Sequence, residues 1–132
     1  MKIAKEFWFS MGHTLHHHPG KCANLHGHNY RLQVVVESDR LNHQGMVMDF
    51  GDLKEIVNGV IDDNYDHRFL VAGFDPRAEP LQAIDPTVVV TQYNPTVEML
   101  AEAIKAGIYA KMHTATLSNI TLWETENSYA EV

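Results

Sequence analysis

The sequence predicts an α+β fold, an antiparallel sheet with two helices on one of its faces. Three observations carry this expectation. β-forming stretches stand near both ends of the chain, two amphipathic helical stripes lie between them, and the strand joins read as hairpin-like. The expected order is β-β-α-β-α-β.

Residues 1–11 read as a strand, with Ile3, Phe7 and Phe9 among β-formers. Residues 12–27 are rich in Gly, His, Pro and Asn and read as a loop. Residues 28–38 read as a second strand, because Leu32, Val34 and Val36 alternate with Arg31, Gln33, Val35 and Glu37. Asn42 to Gly45 form a turn, followed by a short strand from Met46 to Met48. Leu53, Ile56, Val57, Val60 and Ile61 then fall at i, i+3, i+4, i+7 and i+8, the stripe of an amphipathic helix. Asp49 or Asp52 can accept from the free N–H groups at its start. Gly73, Pro76, Pro80 and Pro86 make residues 71–86 a loop. Val88 to Val90 is a buried-strand candidate. Asn94 as cap and Pro95 in the first turn open a second helix, whose stripe is Val97, Leu100, Ala101, Ile104 and Ile108. Leu117 to Glu124 closes as the last strand.

The 132 residues contain no internal repeat and no low-complexity linker, so residues 1–132 are expected to form a single domain. Ten Lys and Arg stand against 17 Asp and Glu, a formal charge of −7. That balance argues against broad binding to nucleic acid or an anionic membrane, which needs a basic face. No apolar run approaches the ~18–20 residues of a membrane span. Lys2, Lys5 and Glu6 stand where a signal peptide needs its apolar stretch. The single cysteine, Cys22, fits a reducing compartment such as the cytoplasm. A small sheet with helices on one face leaves its other face open, and oligomerisation is the usual way to cover it.

Seven of the nine histidines fall between positions 13 and 43. His26-Gly27-His28 is the sharpest feature. In an extended chain, residues two apart point to the same side. Both imidazoles can then meet one metal, and Gly27 puts no side chain between them. Zinc suits imidazole nitrogen, and a catalytic zinc typically takes three protein ligands. His13, at the end of the first strand, lands near the start of the second if the two are neighbours, which makes it the expected third ligand. His16, His17 and His18 are consecutive in a loop, point in different directions and read as solvated. His43 and His113 read as surface residues. Cys22 lies beside Lys21 and an imidazole cluster, surroundings that favour a reactive thiolate. It is equally open to reading as a small buried residue or as a fourth metal ligand. Asp66-His67 offers a carboxylate that can orient an imidazole, although the dipeptide alone is common. Glu124 shares a face with Ile120 and Leu122. It either turns to solvent at the strand end or meets a partner such as a ring with adjacent N–H donors.

Together these residues resemble the 6-pyruvoyl-tetrahydropterin synthase family, and within it the bacterial 6-carboxy-tetrahydropterin synthases of queuosine biosynthesis. Cys22 to His28 has the pattern C-x3-H-G-H, where animal-type pyruvoyl-forming enzymes typically have five residues before H-G-H. Phe9 to His13, Met46 to Lys54, Tyr65-Asp66-His67, Asn94 to Glu98 and Trp123-Glu124-Thr125 match further family segments in order. The resemblance covers about residues 3–130. It implies a tunnelling (T-) fold whose subunits join through their sheets into a barrel, commonly a homohexamer of two trimers, with sites at subunit interfaces. It implies zinc on His13, His26 and His28, and Cys22 as the proton-abstracting base assisted by Asp66 and His67. Glu124 would hold the pterin ring, with Thr96 in the same region. The implied substrate is 7,8-dihydroneopterin triphosphate, and the implied products are 6-carboxy-tetrahydropterin, acetaldehyde and triphosphate. Lys21, Arg31 and Arg68 would meet the triphosphate. A 6-pyruvoyl-forming enzyme and a non-catalytic pterin-binding paralogue are the alternatives. Arg68 stands where the family's Asp-His motif often continues with a second His, and residues 71–86 match no family segment.

Overall fold

Alternating burial builds the centre of the molecule. In the computed structural model, which describes residues 1–132, strands β1 (Lys2–His13) and β2 (His26–Glu37) pair antiparallel along their whole length, from Lys2 opposite Glu37 to His13 opposite His26. Every second side chain is buried on one face: Phe7, Phe9, Met11 and His13 on β1, and Tyr30, Leu32, Val34 and Val36 on β2. Helix α1 (Phe50–Asn64) lays Leu53, Val57, Val60 and Ile61 on that face. The chain then runs through β3 (Phe69–Ala72), the short helix α2 (Ala78–Ile84), β4 (Val89–Thr91), the long helix α3 (Val97–Lys111), β5 (Thr116–Thr125) and β6 (Ser128–Glu131). Leu100, Ala101, Ile104 and Ile108 of α3 meet Ile120 and Leu122 of β5 in the same core. Each such side chain contributes about 1.5–3 kcal/mol when fully buried, so the face shared by α1 and α3 dominates stability.

The six strands form one sheet in the order β4-β3-β1-β2-β5-β6. The α+β class and the two helices packed on one face agree with the sequence expectation. The sheet itself is mixed. β1, β2, β5 and β6 are antiparallel, whereas β3 runs parallel to β1 and to β4. A crossover through α2 returns the chain in the same direction, which a hairpin cannot do. Residues 71–86 are therefore not a plain loop: they hold the end of β3 and all of α2. Pro80 sits in the first turn of α2, where its missing N–H costs nothing. Met46 to Met48 form no strand. Val47 and Met48 are buried against the core without joining a ladder, behind a turn in which Gly45 adopts φ +79°.

The cap of α1 is Asp49, whose carboxylate accepts from Gly51 N–H at 2.6 Å. The cap of α3 is Thr96, not Asn94. The Asn94 side chain is already engaged. Its amide accepts from His16 N–H (2.9 Å) and donates to the His16 carbonyl (3.0 Å), tying down the loop after β1. On the sheet face away from α1 and α3, Trp8, Arg31, Trp123 and Tyr129 are register partners across four strands. Trp8 is 65% exposed, and the Arg31 guanidinium stacks 4.0 Å from the Trp123 ring centre. No helix is long and apolar enough to cross a membrane.

Candidate metal centre and active site

Pairing of β1 with β2 brings three imidazoles together. His13 lies opposite His26, and Met11 lies opposite His28. One ring nitrogen from each histidine falls within 4.8 Å of the other two. The rings are held by their far nitrogens. His13 Nδ1–H donates to the Pro95 carbonyl and His26 Nδ1–H to the Asn24 carbonyl, each at 2.8 Å. A carbonyl can only accept, so these bonds put the proton on Nδ1 and leave the lone pair on Nε2. The Nε2 atoms of His13, His26 and His28 are all buried and lack a hydrogen-bond partner. Three converging, unsatisfied ring nitrogens, two of them on rings anchored to backbone carbonyls, are the donor set of a divalent metal site. Burial pulls the His13 imidazole below its ordinary pKa against the opposing effects of the Pro95 carbonyl and Glu124. Burial also lowers His28, again opposed by Glu124. Both shifts favour the neutral ring that a metal needs.

Gly27 is required by the close strand pairing. A Cβ there would lie 2.8 Å from the Met11 carbonyl oxygen. Glu124 projects from the end of β5 toward the three rings. Its Oε1 accepts from the Tyr30 hydroxyl at 3.4 Å and lies 3.5 Å from His13 Nε2 and 3.8 Å from His28 Nε2. Tyr30 is a site residue that motif reading passed over. The signal was present, since His26, His28 and Tyr30 share one face of β2. Its ring stacks on Phe9 at 5.2 Å, and burial with the adjacent carboxylate keeps its hydroxyl protonated.

Cys22 is a free, half-buried thiol in a single 3-10 turn, Lys21–Ala23. It is near enough to Tyr30 to add to the upward shift of the phenol. Its sulfur is not among the converging metal donors, which are the three imidazoles. The Cys22 carbonyl accepts from Leu15 N–H at 2.9 Å. Thr96 lies next to Pro95, and its hydroxyl accepts from Met99 N–H as the α3 cap.

Asp66 and His67 follow α1 and border the other edge of β1. Asp66 Oδ1 accepts from Ser10 N–H at 3.0 Å, and its Oδ2 lies 2.9 Å from His67 Nδ1. His67 N–H donates to the Ser10 carbonyl at 2.7 Å, which holds the residue at φ 57°, a left-handed backbone unusual outside glycine. Burial raises the Asp66 pKa, but the Ser10 N–H and His67 outweigh it, so the carboxyl stays below its usual range. The His67 side chain is 82% exposed, and no hydrogen bond joins it to the three histidines or to Cys22. An open cavity of about 690 Å³ is lined by His26, His28 and Asn29 on one side and by His67 and Arg68 on the other. His16, His17 and His18 converge on no metal position.

A family model described as 6-pyruvoyl tetrahydropterin synthase matches residues 2–132. The chain is 38% identical over 136 aligned positions to the 6-carboxy-5,6,7,8-tetrahydropterin synthase of Haemophilus influenzae, covering 98% of this chain and 96% of that protein. An uncharacterized protein of Wolinella succinogenes has a similar structure, with a TM-score of 0.85 and 25% identity, covering 100% of this chain and 97% of the other. The 6-pyruvoyl tetrahydropterin synthase of Caenorhabditis elegans superposes with a TM-score of 0.76 at 25% identity, covering 100% and 94%.

Proposed function

This chain belongs to the 6-pyruvoyl tetrahydropterin synthase family, and on that premise we propose that it is a zinc-dependent 6-carboxy-5,6,7,8-tetrahydropterin synthase of queuosine biosynthesis. It is an enzyme, a lyase like the relatives that carry that name. The reaction takes 7,8-dihydroneopterin triphosphate to 6-carboxy-tetrahydropterin, acetaldehyde and triphosphate in the cytoplasm. The observation that carries this reading is the set of three buried, unpartnered Nε2 atoms beside Glu124.

His13, His26 and His28 would hold the zinc. When bound, the ion supplies Lewis-acid polarisation of substrate side-chain oxygens. Glu124 accepts N–H donors of the pterin ring and so places the side chain at the metal position. Thr96 borders the same region. Cys22 takes the proton from the substrate side chain, and His67 carries it on while Asp66 fixes the His67 tautomer. Within one chain His67 is exposed on its own side of β1. The reading therefore pairs it with the Cys22 of a neighbouring subunit, in a homo-oligomer joined through the sheets and expected to be a hexamer. Lys21 and Arg68 supply positive charge to the triphosphate in a chain that is otherwise acidic, whereas Arg31, expected to share that role, stacks on Trp123 on the opposite face of the sheet.

A 6-pyruvoyl-forming activity is the second reading, favoured by the likeness to the Caenorhabditis elegans structure. The three residues between Cys22 and His26 favour the carboxy product. Zinc-loaded protein incubated with 7,8-dihydroneopterin triphosphate, with products identified by mass spectrometry, separates the two. Acetaldehyde with 6-carboxy-tetrahydropterin supports the first reading, and a pyruvoyl product supports the second. No turnover from a zinc-replete oligomer leaves a pterin-binding paralogue.

A further inference from the structure

The crossover between β3 and β4 carries none of the motifs read from the sequence, although the family model spans it, and it reaches the loop that follows β1. Arg77, at the start of α2, sends its guanidinium across to the loop that follows β1. Nη1 donates to the Ala23 carbonyl at 2.6 Å, and Nη2 donates to the Thr14 hydroxyl at 2.8 Å. The Thr14 hydroxyl in turn donates to the same Ala23 carbonyl at 2.9 Å. These three bonds close a ring among Arg77, Thr14 and Ala23. Thr14 is fully buried and follows the metal-site residue His13, while Ala23 follows Cys22.

The guanidinium is itself fixed from behind. Asp75 has a fully buried side chain, and it accepts from Arg77 Nε at 3.0 Å and from Nη2 at 2.7 Å. Asp75 Oδ1 also accepts from Arg77 N–H at 2.9 Å. A rigid planar fork held on one side by a carboxylate can present its remaining donors in only one geometry. The 3-10 turn carrying Cys22 has no side-chain cap of its own, and no residue within it is buried. Its place relative to His13 is set by the bond from Leu15 N–H to the Cys22 carbonyl and by the bonds that Thr14 and Arg77 make to the Ala23 carbonyl.

We propose that Arg77, held by Asp75, is a positioning residue that sets the Cys22 thiol at its working distance from the three-histidine centre, an inference that rests on the reading of Cys22 as the proton-moving group. The brace holds Thr14 and Ala23, the residues that follow His13 and Cys22, and makes no hydrogen bond to an imidazole. Misplacing a reacting group by about 1 Å can cost ~10²-fold in rate.

The test uses the full-length zinc-loaded protein with Arg77→Met, Thr14→Val and, as a control, Leu81→Ala. Leu81, with Ala78 of the same helix, packs α2 onto Val71 and Val88, so its loss loosens the crossover without touching the ring of hydrogen bonds. Zinc content, melting temperature, the rate of Cys22 carbamidomethylation by iodoacetamide, kcat and KM are measured for each. Arg77→Met is expected to keep its zinc, to raise the alkylation rate at least about fivefold, and to lower kcat about 10- to 100-fold with KM within about twofold. Thr14→Val should move the same quantities in the same direction by less, and it decides the matter if Arg77→Met does not fold. Leu81→Ala should lower the melting temperature while leaving alkylation and kcat near wild type. An unchanged or reduced alkylation rate in Arg77→Met, a wild-type kcat, or an equal rise in Leu81→Ala overturns the proposal. If the wild-type protein does not turn over the pterin triphosphate, the functional reading falls. The alkylation comparison then still decides whether Arg77 places the thiol.

Discussion

A buried polar atom without a partner costs about 1–3 kcal/mol, and the start of β2 and the end of β1 present three of them within one small volume. That expense makes sense only if something accepts from all three lone pairs. Truncating His13 to Ala should therefore abolish stoichiometric zinc, measured by atomic emission on protein purified in zinc-containing medium. Full zinc in that variant would mean the ligand set is wrong. Cys22→Ala is expected to behave in the opposite way. Its zinc content should match wild type, because the sulfur is not among the converging donors, while turnover should fall about 10²- to 10⁴-fold, the scale of general acid–base catalysis. A Cys22→Ala protein that loses its metal would instead make the centre a closed structural site. Gly27→Ala tests the backbone beneath. Its methyl would meet the Met11 carbonyl at 2.8 Å, so either β1 and β2 part or the histidines shift. Lower zinc occupancy with a stability loss of about 1–3 kcal/mol is expected, read by metal analysis and urea denaturation.

At the scale of elements, legibility followed length and periodicity. β1 and β2 are 12 residues each, and α1 and α3 are 15. Those lengths hold several periods, so faces and buried residues could be read before any coordinates. β3 and β6 have 4 residues each, too few for alternation to stand out. Helix α2 has 7 residues with Pro80 among them, and proline argues loop unless its place in the first turn is known. Parallel pairing of β3 with β4 was equally hidden, because it depends on the crossover through α2 and not on any local pattern. The Asn94 side chain shows a different failure. Its preference for a helix cap was correctly sensed, but a distant backbone, His16, competes for the same amide and wins. The residues of the metal centre were legible because H-x-H spacing is local and β1 and β2 are consecutive, although the expected loop over 12–27 left His13, His26 and Gly27 outside the strands that hold them. Arg77 was not, since its role comes from contacts across the fold, whereas Tyr30 was within reach of the same alternation that places His26 and His28 on one face of β2. The crossover also carries a pH signature. The hydrogen bonds from Arg77 hold the Asp75 carboxyl below its usual range, against the opposite effect of burial. A depressed folded pKa stabilises the native state above the unfolded value, near 4, and that contribution fades as pH falls through the lower folded value. Asp75→Asn should thus be less stable than wild type by about 2 kcal/mol at pH 7. The gap should narrow below about pH 4, measured by urea denaturation across pH. A gap that stays constant with pH would show that the carboxylate charge is not what Arg77 holds.

For the whole molecule, the two halves of the expected chemistry border one open cavity, but no hydrogen bond joins them within a chain. The three imidazoles and Glu124 sit on the face that α1 and α3 cover elsewhere, whereas Asp66 and His67 are hydrogen-bonded to Ser10 and project an exposed imidazole. The open face of the sheet carries Trp8, Arg31, Trp123 and Tyr129 in one row, an apolar and cationic strip suited to burial against another sheet. If sheets join into the expected barrel, a thiol from one subunit can meet an imidazole from the next. Mixing two dead variants examines this directly. Cys22→Ala lacks the thiol, and His67→Ala lacks the relay. If each site draws on two subunits, some sites in a mixed oligomer receive an intact Cys22 from one chain and an intact His67 from its neighbour. Random reassembly of equal amounts should then restore about one quarter of the sites. Denaturing and refolding the variants together, then assaying acetaldehyde release, should recover roughly that share of wild-type activity, while each variant refolded alone stays inactive. A site completed within one chain cannot be rescued in this way. Every chain in the mixture would lack one of its two groups, and activity would remain at the level of the separate variants even though size-exclusion chromatography showed mixed oligomers.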